Sequence, residues 1–376
     1  MMLPEGHGLY PGHPDLRGFV RFFNLSTGAI VRAHLPVMDE DDHVVLDSAD
    51  GLLLLHRDRD TVIRLLHPFT GDLAELPPLA PLLLQIKLKP YRLWLDDDSE
   101  RATGLRSVCA AVTADSSTGT ITVMLSLDQL NRVACATAGD QRWTLSSWNG
   151  IKLLSKPVAF KGKLYAMDFI FKDIQGVYIY QINPPRQDAA EEVPHLPLPV
   201  KIAEFPVGNF IYTLSFVECG SELLLVGYNG KSLSKLLVYR LADLVRGKIE
   251  PVTSIGNNTL FVDDERSLCV SLPPDKGRTN LRSLSPNCII CVHGVPINLA
   301  FENLSRFELY DLGTGTWTPA SDGNIMRRPP PSPHTLIHHI FTCCHRKYWN
   351  KGLMYCVETE PILLVKQDPR YGVVSS

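Results

Sequence analysis

Apolar and polar positions alternate in one nine-residue unit that returns along the whole chain. It is spelled VRFFNLSTG at 20–28, IRLLHPFTG at 63–71 and FELYDLGTG at 307–315, with looser copies VYIYQINPP at 177–185 and LLVYRLADL at 236–244. Positions one and three are apolar, around a polar or aromatic residue in every copy but that at 236–244, which is the period of a strand. Position four is large in every copy (Phe23, Leu66, Tyr180, Tyr239, Tyr310) and suits a pleated surface. Thr-Gly then supplies a bend, because glycine accepts the positive φ that hairpins need. A short return strand follows and stops near proline, in AIVRAHLP, DLAELPP and TWTP. Proline cannot donate to a ladder, so pairing ends there.

A degenerate sixth copy lies in VACATAGDQRWTL at 133–145, where Gly139-Asp140 makes the turn and Trp143 leads the return strand. The units begin at 20, 63, 133, 177, 236 and 307. Four-stranded propeller blades recur about every 40–50 residues, and loop insertions lengthen single blades. Between the hairpins, continuous apolar runs at 51–56, 121–127, 162–171, 221–228 and 287–294 predict inner strands covered on both faces. The pattern therefore predicts an all-β chain: a β-propeller of about six (six to seven) four-stranded blades, kelch-like. A β-sandwich seldom carries one unit six times. Short helices are predicted only in LADLVRG and in the tail HTLIHHIFTCCHRKYW.

Residues 1–18 read as a short irregular segment, 19–325 as the propeller, and 326–376 as a Pro-rich linker and tail. Two strand-like runs within 352–367 are expected to pair with the N-terminal strands and close the ring, removing both open edges. The Pro-rich stretch 184–199 is expected to be a surface loop within the ring.

Composition narrows the function classes. The apolar share of 45% and charged share of 20% suit a folded chain with a large core. A net charge of −3 gives no support to non-specific nucleic-acid binding. No apolar run approaches the roughly 20 residues of a membrane span. The start, MMLPEGHGLYPGHPD, lacks the basic and apolar regions of a secretory signal. The nine cysteines sit mostly in apolar company, which predicts reduced, buried thiols in a cytoplasmic or nuclear protein.

With the blades placed, several segments resemble a known family. LLHPFTGDLAELPPL is similar to the Asn-Pro-x-Thr-Gly…Leu-Pro-Pro block of plant F-box-associated β-propellers, with His67 where Asn is usual. FKGKLYAMD at 160–168 resembles the family's Gly-Lys-x-Tyr-Ala strand. TLFVDDERSLCVS…LSPNCIICV at 259–292 resembles its Leu-Phe-x-Gly…Pro-Asn-Cys-Ile-Tyr segment, with departures at Asp263 and Ile290. Over roughly residues 17–320 the chain thus resembles the KIB-type propeller domain. The resemblance implies substrate recognition for a cullin-type ubiquitin ligase. Members often carry an N-terminal F-box that docks on a Skp adaptor; residues 1–18 show no helical leucine pattern, so adaptor docking is not expected here.

Candidate chemistry is sparse. Cys288, Cys291 and His293 in CIICVH invite a metal reading, but strand residues three apart face opposite ways, and no second ligand pair stands at zinc spacing. Core strand is the preferred reading. In the tail, His338, His339, Cys343, Cys344 and His345 would put His339 and Cys343 on one helical face; a packed amphipathic segment is preferred over zinc. The acidic runs MDEDDH at 38–43 and DDDSE at 96–100 lack calcium-loop spacing and read as solvated loops. No nucleophile elbow, Walker loop or dinucleotide glycine loop is present. Catalytic, cofactor-binding and metal residues are accordingly assigned to none, and no cofactor is expected. The expected function is a non-catalytic protein-interaction module binding a protein partner through propeller loops, without nucleic acid or membrane. The alternative is a propeller hydrolase or lyase with a site at the channel mouth, which no motif supports.

Overall fold

The computed structural model describes residues 2, 11–39, 42–83, 108–115, 117, 119–127, 132–148, 157–169, 176–185, 195–205, 211–229, 234–263, 266–273, 284–292, 307–320, 336–337, 340 and 343–344. They form six sheets. Blade 1 pairs β1 (Phe19–Phe23) with β2 (Ile30–His34), and Met2 bridges to the free side of Phe22. Blade 2 is a four-stranded meander of β3 (His43–Ala49), β4 (Leu52–Arg57), β5 (Val62–Leu66) and β6 (Leu73–Pro78). A helical turn, α1 (Ala80–Leu83), follows.

Blade 3 repeats the meander with β7 (Val108–Ala114), β8 (Ile121–Leu127), β9 (Arg132–Thr137) and β10 (Thr144–Leu145). Blade 4 does so with β11 (Val158–Phe160), β12 (Lys163–Phe169), β13 (Val177–Ile182) and β14 (Val200–Phe205). Blade 5 has β15 (Ile211–Cys219), β16 (Glu222–Asn229) and β17 (Lys235–Arg240), after which α2 (Leu241–Val245) stands in the chain position of a fourth strand. Blade 6 comprises β18 (Asn258–Val262), β19 (Leu268–Ser271), β20 (Cys288–Val292), β21 (Phe307–Asp311) and β22 (Thr316–Pro319), in the order β19-β18-β20-β21-β22.

Each repeat unit of the sequence falls on a strand, β1, β5, β9, β13, β17 or β21; all but β17, which runs into α2, pair with the strand that follows as an outer hairpin. In blades 2 to 5 the predicted inner strands are the second strands, β4, β8, β12 and β16; the innermost strands are β3, β7, β11 and β15. The helix expected in LADLVRG is α2. Blade 6 departs from a plain meander because β18 and β20 pair in parallel. That pairing turns its outer hairpin over: Trp317 donates to the Ser234 carbonyl just before β17, whereas the β18–β19 connection lies beside the end of β3.

Alternate side chains of each strand feed opposite neighbours, as the strand period of two requires. Leu53 and Leu55 pack toward blade 1 with Val20 and Phe22, while Leu54 packs toward blade 3 with Ala110 and Leu125. Blades 3 and 4 share Met124, Cys135, Leu164 and Ile182. Blades 4 and 5 share Met167, Ile179, Leu225 and Tyr239. Blades 5 and 6 share Val226, Val238, Ile289 and Tyr310. The sixth interface joins Phe261, Ile290 and Phe307 of blade 6 to Phe23 of blade 1, with Ile337, Ile340, Cys343 and Cys344 packed in. Six sheets with six apolar interfaces make a closed ring, and each fully buried leucine contributes about 1.5–3 kcal/mol. The runs expected at 352–367 lie outside the described residues. Among the described residues no helix is long and apolar enough to cross a membrane.

Candidate functional site at the channel mouth

The innermost strands of blades 2, 4 and 5 end in tight hairpin turns, and these turns carry charge. β3 runs into Asp50-Gly51 and β11 into Lys161-Gly162, with positive φ at all four residues. Two successive positive-φ residues match the right-handed twist of the strands they join, so each hairpin closes in two residues. β15 ends with Glu218 and Cys219 before the Gly220-Ser221 turn. Arg266, in the connection between β18 and β19, completes the set from blade 6.

Polar contacts stitch this end of the ring. The buried Asp47 carboxylate accepts from the Ala110 amide at 2.8 Å, tying β3 to β7, and from the Ser48 amide at 2.8 Å. Thr113 Oγ1 donates to the Gly162 carbonyl at 3.1 Å, tying blade 3 to blade 4. Lys161 Nζ donates to the Ser221 carbonyl at 2.9 Å, tying blade 4 to blade 5. Arg266 Nη2 donates to the Ser48 carbonyl at 2.9 Å, and its Nη1 lies 3.8 Å from the Asp47 carboxylate. Blade 6 thereby reaches blade 2 past the short first blade.

Asp50, Lys161, Glu218 and Ser221 are exposed around these tethers, and Arg266 is half-buried. Crowding by protein raises the Asp50 carboxyl above its ordinary value. It raises Glu218 too, where the Asp50 charge adds and Arg266 and Lys161 oppose. Asp50 and Glu218 thus bring two carboxyl groups to this end of the ring, beside two cations already engaged with carbonyls. Such a surface can pair with a partner carrying both charge types. Among the described residues no group of three or more His, Cys, Asp or Glu is placed to hold a metal ion.

None of these residues stood out in the sequence, since each is a single charge on a different blade. The Asp-Gly and Lys-Gly pairs were the local signal available. Cys288 and Cys291 are buried on β20, where Tyr228 Oη lies 3.4 Å from Cys291 Sγ and burial pushes that thiol up to about 12. His293 lies outside the described residues. So do His338, His339 and His345; Cys343 and Cys344 are buried against blade 6. Of the acidic runs, Asp39 pairs with His34, and Asp42 with His43 and Arg59, while DDDSE lies outside the described residues. Trp148 is buried between blades 3 and 4.

A family model described as the KIB1-4 beta-propeller matches residues 22–327. The chain belongs to the KIB1-4 beta-propeller family. Apart from the first residues of β1, all six sheets of this KIB1-4 propeller, and every mouth residue named above, fall within the match. Among solved structures, the chain is similar to the crystal structure of the Myceliophteria thermophila Cps50 (Swd1) beta-propeller domain. Identity is 11%, with 84% of this chain and 96% of that chain covered and a TM-score of 0.25. No curated protein sequence matches the chain. A KIB1-4 propeller, as a rigid ring presenting loops at both ends of a channel, supports a protein-interaction module.

Proposed function

We propose that the chain is a non-catalytic recognition module that grips a segment of a partner protein at the channel mouth. In the more specific form, it is the substrate-binding half of a plant F-box protein, or a member of that family that has lost its F-box. The observation that carries the reading is the mixed-charge rim of Asp50, Lys161, Glu218 and Arg266, brought from blades 2, 4, 5 and 6 to one opening. The rim offers opposite charges held on a stiff frame, so a bound segment orders without reordering the receptor. The KIB-type resemblance supplies the ubiquitin-ligase context.

Affinity capture tests this, with the full chain as bait and the double variant Asp50→Lys, Glu218→Lys as control. The reading expects a discrete set of proteins bound by the wild type and lost by the control. Recovery of a Skp adaptor and a cullin is expected to stay at background; recovery comparable to that of a full F-box protein overturns that expectation. A prey set identical for wild type and control contradicts recognition at the mouth.

A further inference from the structure

The blade 5–blade 6 seam holds two thiols facing each other across the ring's inner wall. Cys219 ends β15, and Cys269 lies on the innermost strand of blade 6, β19. Cys269 Sγ donates to Cys219 Sγ at 3.1 Å. Both are half-buried, as is Cys109, whereas Cys135, Cys288, Cys291, Cys343 and Cys344 are buried. We propose that Cys219 and Cys269 form a peroxide-reactive dithiol that closes to an interblade disulfide beside the channel mouth.

Geometry and chemistry agree on the order of events. The hydrogen bond from Cys269 holds the Cys219 thiol below its ordinary value, while the same bond and burial push Cys269 up. Cys219 is therefore the nucleophile and Cys269 the resolving thiol. The Cys219 thiolate attacks one oxygen of a hydroperoxide; an S–O bond forms, the O–O bond breaks, and the departing oxygen leaves as water or alcohol after taking a proton. Cys269 sulfur then attacks the sulfenic sulfur; the S–S bond forms, the S–O bond breaks, and a water leaves with the Cys269 proton. Two electrons pass from the sulfur pair to the peroxide, and a thiol reductant reverses the change. The sulfurs need to approach by only about 1 Å to reach the bonded distance of about 2.05 Å. By contrast, burial pushes Cys135, Cys291 and Cys343 up to about 12, which leaves them inert near neutral pH.

The place of the bond matters. Cys219 directly follows Glu218 and precedes the turn whose Ser221 carbonyl binds Lys161, so oxidation locks two blades at the rim.

The test treats the reduced full chain with one equivalent of hydrogen peroxide, alkylates the remaining thiols and maps the peptides. The expected result is loss of two of the nine thiols, a Cys219–Cys269 linked peptide, and reversal by dithiothreitol. Cys269→Ser should stall at a Cys219 sulfenic acid that dimedone traps. Cys219→Ser should form no linked peptide and slow thiol loss about tenfold or more. A folded wild-type chain that yields no Cys219–Cys269 peptide, or in which other cysteines link first, overturns the proposal.

Discussion

Arg266 donates to the backbone carbonyl of Ser48 at 2.9 Å although the two residues are 218 positions apart in the chain. With Nη1 also facing the Asp47 carboxylate, one side chain joins blade 6 to blade 2 at the rim. Arg266→Ala removes both contacts and should cost about 1–3 kcal/mol, read as a shifted denaturant midpoint. Arg266→Lys should recover only part, because an ammonium lacks the planar fork that serves two acceptors. Unchanged stability in Arg266→Ala would show the tether to be idle.

Two rim glycines separate strain from crowding. Both Gly51 and Gly162 have positive φ, 82° and 70°. A Cβ at 162 would sit 2.8 Å from Thr113 Oγ1 and 3.3 Å from the Val112 carbonyl oxygen, whereas a Cβ at 51 meets nothing within 4 Å. Gly51→Ala should cost about 1–2 kcal/mol from the backbone alone. Gly162→Ala should cost more, by about 1 kcal/mol or above, because the seam must also open. Equal losses in thermal unfolding would mean that the blade 3–blade 4 seam gives way freely.

The interface account makes its own demand. Leu54 is fully buried between blades 2 and 3, while Leu73 on the outer strand is 45% exposed. Leu54→Ala should destabilise by about 2–5 kcal/mol and Leu73→Ala by well under 1 kcal/mol. Chemical denaturation of the two variants side by side checks the contrast.

The outer hairpins were legible because the information is local: alternation, a large fourth residue and a Thr-Gly bend occupy nine consecutive positions. Strands such as Leu52–Arg57 and Glu222–Asn229 were legible because both faces are buried, which writes an unbroken apolar run. Pairing was not. The parallel match of Thr259 with Cys288 joins segments whose connection carries no helix pattern, so nothing nearby in sequence signals it. The rim was hidden for a related reason. Asp50, Lys161, Glu218 and Arg266 are single charges in separate blades, and only closure of the ring makes them neighbours. The Cys219–Cys269 pair was hidden in the same way, as two thiols 50 positions apart.

His43 provides a pH test. It is buried at the start of β3, beside Asp42, with Nε2 3.2 Å from Arg64 Nη1. Arginine can only donate there, so Nε2 accepts and the neutral ring carries its proton on Nδ1, toward Asp42. Burial holds the imidazole below its ordinary value of 6.5; Arg64 and Arg57 add to the effect and Asp42 opposes it. The unfolded chain therefore takes up a proton first as pH falls. The contribution of His43 to stability is whole above about pH 6.5 and is lost progressively as pH drops toward the folded value. His43→Gln should flatten the stability profile between about pH 7 and 5 relative to wild type. Parallel profiles for the two proteins would remove His43 as the cause.

The most direct test of recognition at the mouth is hydrogen exchange on the complex with a captured partner. The account predicts slowed exchange concentrated on residues 47–51, 161–162, 218–221 and 266–267, the turns that bear the rim. Protection confined to the outer bends at 24–28 and 67–72, with the rim exchanging as in the free chain, would contradict it.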